Sequence, residues 1–217
     1  MKLSRVVARK VKMYFDLGCP ATWASLKVIK EVYNHYDIDY VPICDWKVEL
    51  RKNLDKFEEK RAAGEISKNE KPSALIKNQP KSVPEVLQSR LRPNWQEIYA
   101  ESLPKNGVIS MIFLTALKLD FPQFFHLGID KIGTRLWEEG QPVHKGCFMS
   151  TCAREISIPF RDSEYIVSRL SHRLYRHQLS EWSNEAVSLG GQKSPFFTVT
   201  DHSAPLCFED VFQLEKV

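Results

Sequence analysis

The stretch LGCPATW, residues 17–23, sets a thiol directly before a proline where an apolar run meets an amphipathic one. A cysteine at the point where a strand hands over to a helix faces unpaired backbone amide protons and the positive end of the helix dipole. Both favour thiolate over thiol. The chemistry this offers is nucleophilic, an attack by Cys19 on a disulfide or an electrophile. The competing reading is that Cys19 packs as a small hydrophobe, since cysteine is among the most buried residue types. The other four cysteines are Cys44, Cys147, Cys152 and Cys207. Cys147 and Cys152 stand five apart in a helical segment near His144, and ordinary helix positions explain them more simply than a metal does. An odd count without tight pairing argues against a disulfide scaffold and for a reducing compartment.

The elements that must position Cys19 can be read from periodicity. Residues 10–17, KVKMYFDL, alternate in polarity and form a strand. From Pro20 the pattern turns helical, with Trp23, Leu26, Ile29 and Tyr33 on one side, and proline suits the first helical position because its missing N–H would lack a partner anyway. DIDYVPIC at 37–44 is a second strand, so the chain opens with a βαβ unit whose right-handed crossover makes the strands parallel. Between residues 46 and 61, Trp46, Leu50, Leu54 and Phe57 keep a helical stripe amid dense charge, which describes a solvated helix or lid. Residues 64–84 are loop-like and basic.

Helical patterns then follow at 106–119, at 121–137 with Phe124, Phe125, Ile129, Ile132 and Leu136, and at 145–155. Another opens at Asp162 as N-cap and runs through Ile166, Leu170 and Leu174, and a last one covers 178–189. After Gly190 and Gly191 the chain returns to strand near Pro195, with a hairpin partner at 204–210 across DHS and a short closing helix from about Glu209. This order predicts an α/β chain with a thioredoxin-like fold. Residues 1–45 and 188–217 form the thioredoxin-like domain, and 46–187 form a large all-helical insertion.

Composition narrows the function. A net charge of +4 without a dense basic stripe does not suggest nucleic-acid binding. The longest apolar run, VISMIFLTAL at 108–117, is about half of a bilayer span and reads as a core helix. The start carries Lys2, Arg5, Arg9, Lys10 and Lys12 with no acid before Asp16, a faint likeness to a mitochondrial presequence. The expected location is mitochondrial or cytoplasmic, and the C-terminal EKV does not match a peroxisomal signal of the S-K-L type.

Four stretches in order, VKMYFDLGCPATWASLKVI at 11–29, FLTALKLDFPQ at 113–123, IDKIGTRLWEEGQPV at 129–143 and LGGQKSPFFTV at 189–199, carry a likeness that spans nearly the whole chain. The sequence resembles the kappa-class glutathione transferases of the DsbA-like thioredoxin superfamily, relatives of the 2-hydroxychromene-2-carboxylate isomerases. The resemblance implies glutathione as co-substrate, no metal, a small electrophilic or disulfide second substrate, and a homodimer. It implies that Pro195 is a cis-proline exposing the backbone of Ser194 to pair with the glutathione peptide, the alternative being an ordinary trans proline heading an edge strand.

Cys19 stands where kappa enzymes carry serine, and Thr22 stands where redox relatives carry the second cysteine of C-x-x-C. That leaves either monothiol exchange through Cys19, or glutathione activation with Thr22 or a backbone amide donating to its thiolate. Asn69 and Lys77 best match glutathione contacts in the loop after the second strand, although a solvated lysine is an equal reading. In the C-terminal turn Asp210 matches the acid that pairs with the γ-glutamyl ammonium. Glu209 replaces a serine beside the γ-glutamyl carboxylate, a like charge that opposes binding unless it turns away. The rival readings are a glutathione-dependent isomerase and a non-catalytic DsbA-like paralogue that binds or supports without chemistry.

Overall fold

The computed structural model describes residues 10–44, 83–102, 107–200 and 206–216. In chain order the elements are β1 (Lys10–Phe15), α1 (Pro20–Val32), β2 (Ile38–Pro42), α2 (Glu85–Gln88), α3 (Trp95–Ser102) and α4 (Val108–Asp120). A 3₁₀ turn at Pro122–Phe124 leads into α5 (Phe125–Gly133), which continues as a π-helical segment at Thr134–Glu138. Then come α6 (Gly146–Glu155), α7 (Phe160–Ser168), α8 (Arg173–Ser188), β3 (Phe196–Thr200), β4 (Leu206–Phe208) and a 3₁₀ turn at Val211–Lys216. The expected helix at 46–61, the DHS turn and the basic start up to Arg9 lie outside the described residues.

The four strands make one sheet in the order β2-β1-β3-β4. β1 and β2 are parallel, with Val11 opposite Ile38 and Phe15 opposite Pro42, as the βαβ reading requires. β3 runs antiparallel to β1 with Tyr14 opposite Phe196, and β4 runs antiparallel to β3. Alternation along the strands sorts side chains to two faces. Val11, Met13, Phe15, Phe197 and Val199 enter the main core with Trp23, Leu26, Ile29 and Tyr33 of α1. Tyr14 and Phe196 turn to the other face and meet Val41, Ile43 and Ala186 of α8. On that face the Tyr14 hydroxyl donates to Glu185 at 2.7 Å, and burial, reinforced by Glu185, lifts this phenol well above its ordinary range.

α4 is the core helix expected of its apolar run, with every residue from Ser110 to Leu117 buried. No helix among the described residues is long and apolar enough to cross a membrane. Three boundaries differ from the sequence reading. α7 begins at Phe160 with Pro159 as its N-cap, and Asp162 lies in its first turn, where the helix dipole favours an acid. The apolar period through Ile166, Leu170 and Leu174 does not mark one helix. α7 stops at Ser168 and α8 starts at Arg173, with His172 accepting from the Leu174 amide as its cap. The closing segment is a 3₁₀ turn from Val211, with Val211 and Leu214 buried.

Candidate functional site

The site is built on the loop from β1 to α1. Asp16 shapes it, because its carboxylate accepts from the Gly18 amide at 2.8 Å and its carbonyl accepts from the Cys19 amide at 3.0 Å. Cys19 is the N-cap of α1 in extended conformation, and its carbonyl accepts from the Thr22 amide at 3.1 Å. Its thiol caps nothing in the helix, and the first turn holds no acid to offset the dipole. Instead the Sγ–H donates to the carbonyl of Ser194 at 3.1 Å.

Ser194 comes from the other end of the chain and leads into β3 through a cis peptide bond to Pro195. Its hydroxyl oxygen accepts from the Asp16 amide at 2.7 Å and shares a 2.6 Å bond with Thr22 Oγ1. One residue thus ties together the end of β1, the cap of α1 and its first turn. Cys19 is 3% exposed, Ser194 2% and Thr22 0%, so these three members of the network are buried. This differs from the expectation that the cis-proline turn exposes the Ser194 backbone. It also shows the Thr22 hydroxyl engaged with Ser194, the bond that fixes the first turn of α1 against the turn before β3.

The helical layer pins the same loop from outside. The Leu17 amide meets Met111 Sδ of α4 at 3.4 Å, and the Leu17 carbonyl accepts from Trp137 Nε1 at 2.8 Å. Trp137 lies in the π-helical segment after α5. Immediately before that segment, Gly133 leaves room for Trp23 of α1: a Cβ at Gly133 would lie 2.1 Å from Trp23 Cζ3.

The C-terminal residues reach this site unevenly. Glu209 pairs with Lys193 at 3.3 Å, which brings it beside the residue preceding Ser194 and offsets its charge. Asp210 is exposed, and its side chain accepts from the Phe212 amide at 3.1 Å, capping the closing 3₁₀ turn. Phe208, the last residue of β4 and the one before the two acids, stacks on Phe197 at 5.3 Å. Asn69 and Lys77 lie outside the described residues. Among the described residues no cluster of histidine, cysteine and carboxylate groups could hold a metal. Asp16, Met111 and Trp137 were not singled out from sequence. Only Asp16 carried a local signal, an acid two residues before a glycine.

No family model matches the chain, and no curated protein does. Solved structures do. A 2-hydroxychromene-2-carboxylate isomerase aligns over 95% of this chain and 91% of its own, at 13% identity and a TM-score of 0.58. The cytosolic disulfide reductase DsbM from Pseudomonas aeruginosa aligns over 94% and 91%, at 10% identity and a TM-score of 0.54. The chain has the DsbA-like thioredoxin fold. The same reductase in a structure with GSH aligns over 94% of this chain and 92% of its own, at 11% identity and a TM-score of 0.54. Within this fold, the α1 cap and the cis-proline turn are where Cys19 and Ser194 meet.

Proposed function

We propose that the protein is a kappa-like, glutathione-dependent transferase that works through a single thiol, Cys19. The observation that carries the reading is the contact of the Cys19 thiol at the α1 N-terminus with the carbonyl before a cis-proline, 3.1 Å away. The thiol stands beside the turn that would present the peptide of glutathione. Thr22 is buried and bonded to Ser194, so it supports the turn rather than a ligand thiolate. That favours exchange over conjugation. The Cys19 thiolate attacks the glutathionyl sulfur of a mixed disulfide G–S–S–R, forming Cys19–S–S–G and releasing R–S⁻. A second glutathione thiolate then attacks the same glutathionyl sulfur, giving GSSG and regenerating the Cys19 thiolate.

Asp210 is the proposed partner of the γ-glutamyl ammonium, with Glu209 held off it by Lys193, and Asn69 and Lys77 complete the glutathione contacts. The second substrate is a small disulfide or electrophile, the assembly a homodimer, and the location mitochondrial or cytoplasmic. The division into a thioredoxin-like domain and a helical insertion belongs to the same proposal. The structure of DsbM with GSH, a protein of this fold, supports the choice of ligand. The burial of Cys19, Ser194 and Thr22 favours the rival, a paralogue without turnover.

The test is intact mass after exposure to oxidised glutathione, with Cys147→Ser and Cys207→Ser removing the two exposed thiols. One glutathionyl adduct, lost in Cys19→Ser and removed by reduced glutathione, is expected. A protein that takes no adduct and gains no protection from reduced glutathione lacks the proposed activity.

A further inference from the structure

We infer that the corner where α7 passes into α8 is a docking surface for an anionic lipid bilayer. Residues 165–180 contain three arginines and no lysine or acid, so with histidines counted neutral this stretch carries +3 of the chain's net +4. Arg169, Arg173 and Arg176 are all exposed, as are His172 and His177. Apolar side chains stand among them, Leu174 being 53% exposed and Tyr165 40%. The patch is continuous. The Arg169 guanidinium lies 4.2 Å from the centre of the Tyr165 ring, and Tyr165 meets Phe121 edge-on at 6.3 Å. The residue before Phe121, Asp120, accepts from the Tyr175 hydroxyl, which joins the start of α8 to the same end of α4.

Helix stability does not account for these cations. The positive end of a helix dipole favours acids, yet the first turn of α8 holds none and opens with Arg173, with Arg176 close behind. The last turn of α8, where cations are favoured, has none. Among the described residues the ion pair at this corner is His177 with Glu181, 3.9 Å apart, and neither Arg173 nor Arg176 has one. Their charge is left to face an anion outside the fold. The shape selects which anion. Ser171, His172, Arg173 and Leu174 are exposed in succession, so the turn projects, whereas an acidic peptide needs a groove to lie in. On a bilayer the projecting turn sets Leu174 and the Tyr165 ring at the headgroup boundary, while the arginines meet lipid phosphates and carboxylates. The contact is peripheral and sensitive to salt.

The experiment is co-sedimentation of the full chain with vesicles of phosphatidylcholine alone, or with roughly one-third phosphatidylserine, at about 0.1 M salt. Wild type is expected to sediment with the anionic vesicles only and to be released by about 1 M salt. An arginine near such a surface is worth about a fivefold change in binding, so Arg173→Gln with Arg176→Gln is expected to weaken it roughly 25-fold. Leu174→Ser is expected to weaken it about three- to tenfold through lost apolar contact. Lys10→Gln with Lys216→Gln removes the same charge from β1 and the closing 3₁₀ turn and is expected to change binding by no more than about twofold. All five positions are exposed, and melting curves confirm that each variant is folded. No sedimentation with anionic vesicles overturns the inference, as does equal binding to neutral ones. Equal losses from the two double variants also overturn it, since they would trace to net charge alone. Binding to poly-glutamate as tight as to the vesicles, with Leu174→Ser affecting neither, assigns the patch to an acidic polypeptide and overturns the lipid reading. None of these readouts involves glutathione, so the outcome is independent of the role given to Cys19.

Discussion

Thr22→Val isolates the bond that fastens the first turn of α1 to the turn before β3. Valine keeps the shape of threonine but cannot bond, so the 2.6 Å contact with Ser194 Oγ is lost inside a network that excludes water. Ser194 Oγ keeps the bond from the Asp16 amide but loses this one, at a cost of about 1 kcal/mol, the net worth of one buried hydrogen bond. For a chain of this size that corresponds to a fall in Tm of roughly 2–4 °C. Ser194→Ala should cost more, since it removes the bonds to both the Asp16 amide and Thr22 Oγ1. The double variant should cost less than the sum, with a coupling of about 1 kcal/mol. Urea unfolding at constant m measures all three. A Thr22→Val protein within about 0.5 kcal/mol of wild type, or strictly additive effects, would refute the claim that Ser194 is the hub of the site.

Three further changes probe the scaffold and the chemistry. Gly133→Ala drives a Cβ into the Trp23 ring, and such overpacking costs about 1–3 kcal/mol; an unchanged urea midpoint would show that the ring yields freely. The Glu155 carboxyl is opposed by its own burial, but Lys131 and Arg135 outweigh that and hold it below its ordinary value. A depressed carboxyl stabilises the fold above its unfolded pKa of about 4.3 and loses that contribution as pH falls through the folded value. Lys131, raised by its bond to Glu155, contributes below about pH 10.4 and loses its contribution as pH rises through its folded value. Glu155→Gln should therefore flatten the decline of Tm between about pH 5 and pH 3, and an unaltered acid slope would contradict the assignment. Thr22→Cys supplies a second thiol in the C-x-x-C position; the glutathione adduct on Cys19 should then fail to accumulate, replaced by an internal disulfide seen as a mass loss of two hydrogens, whereas a persistent adduct would argue against resolution from that position.

Where burial repeats with a simple period, the sequence was readable. Trp23, Leu26, Ile29 and Tyr33 face the core as their spacing demanded, and the alternation in β1 sorts its side chains to two covered faces. The break between α7 and α8 was not readable. Leu170 is buried in the intervening turn and continues the helical period from Ile166, while neither glycine nor proline marks the stop. Nor did periodicity reveal what α8 covers. Its contribution to the second face of the sheet is small, centred on Ala186 and Trp182, and its tie to β1 runs through Glu185, a residue that reads as solvent-facing until Lys12 and Tyr14 are placed against it.

The site followed a different logic, because its members are set by partners far away in sequence. Cys19 was legible from its place before Pro20, but the acceptor of its proton lies 175 residues away and is a backbone carbonyl, which no residue type announces. The same holds for Trp137, whose indole donates to the backbone carbonyl of Leu17, 120 residues away. Threonine in place of a second cysteine reads in sequence as a loss of dithiol chemistry. In the fold it is also a gain, since a hydroxyl bonds Ser194 strongly where a thiol would bond it weakly. Fixing Ser194 in this way holds its carbonyl within reach of the one thiol that remains. On the proposed reading, Thr22 leaves Cys19 without a second thiol in the C-x-x-C position and also anchors the residue whose carbonyl accepts the Cys19 proton, and monothiol exchange is the chemistry that fits both.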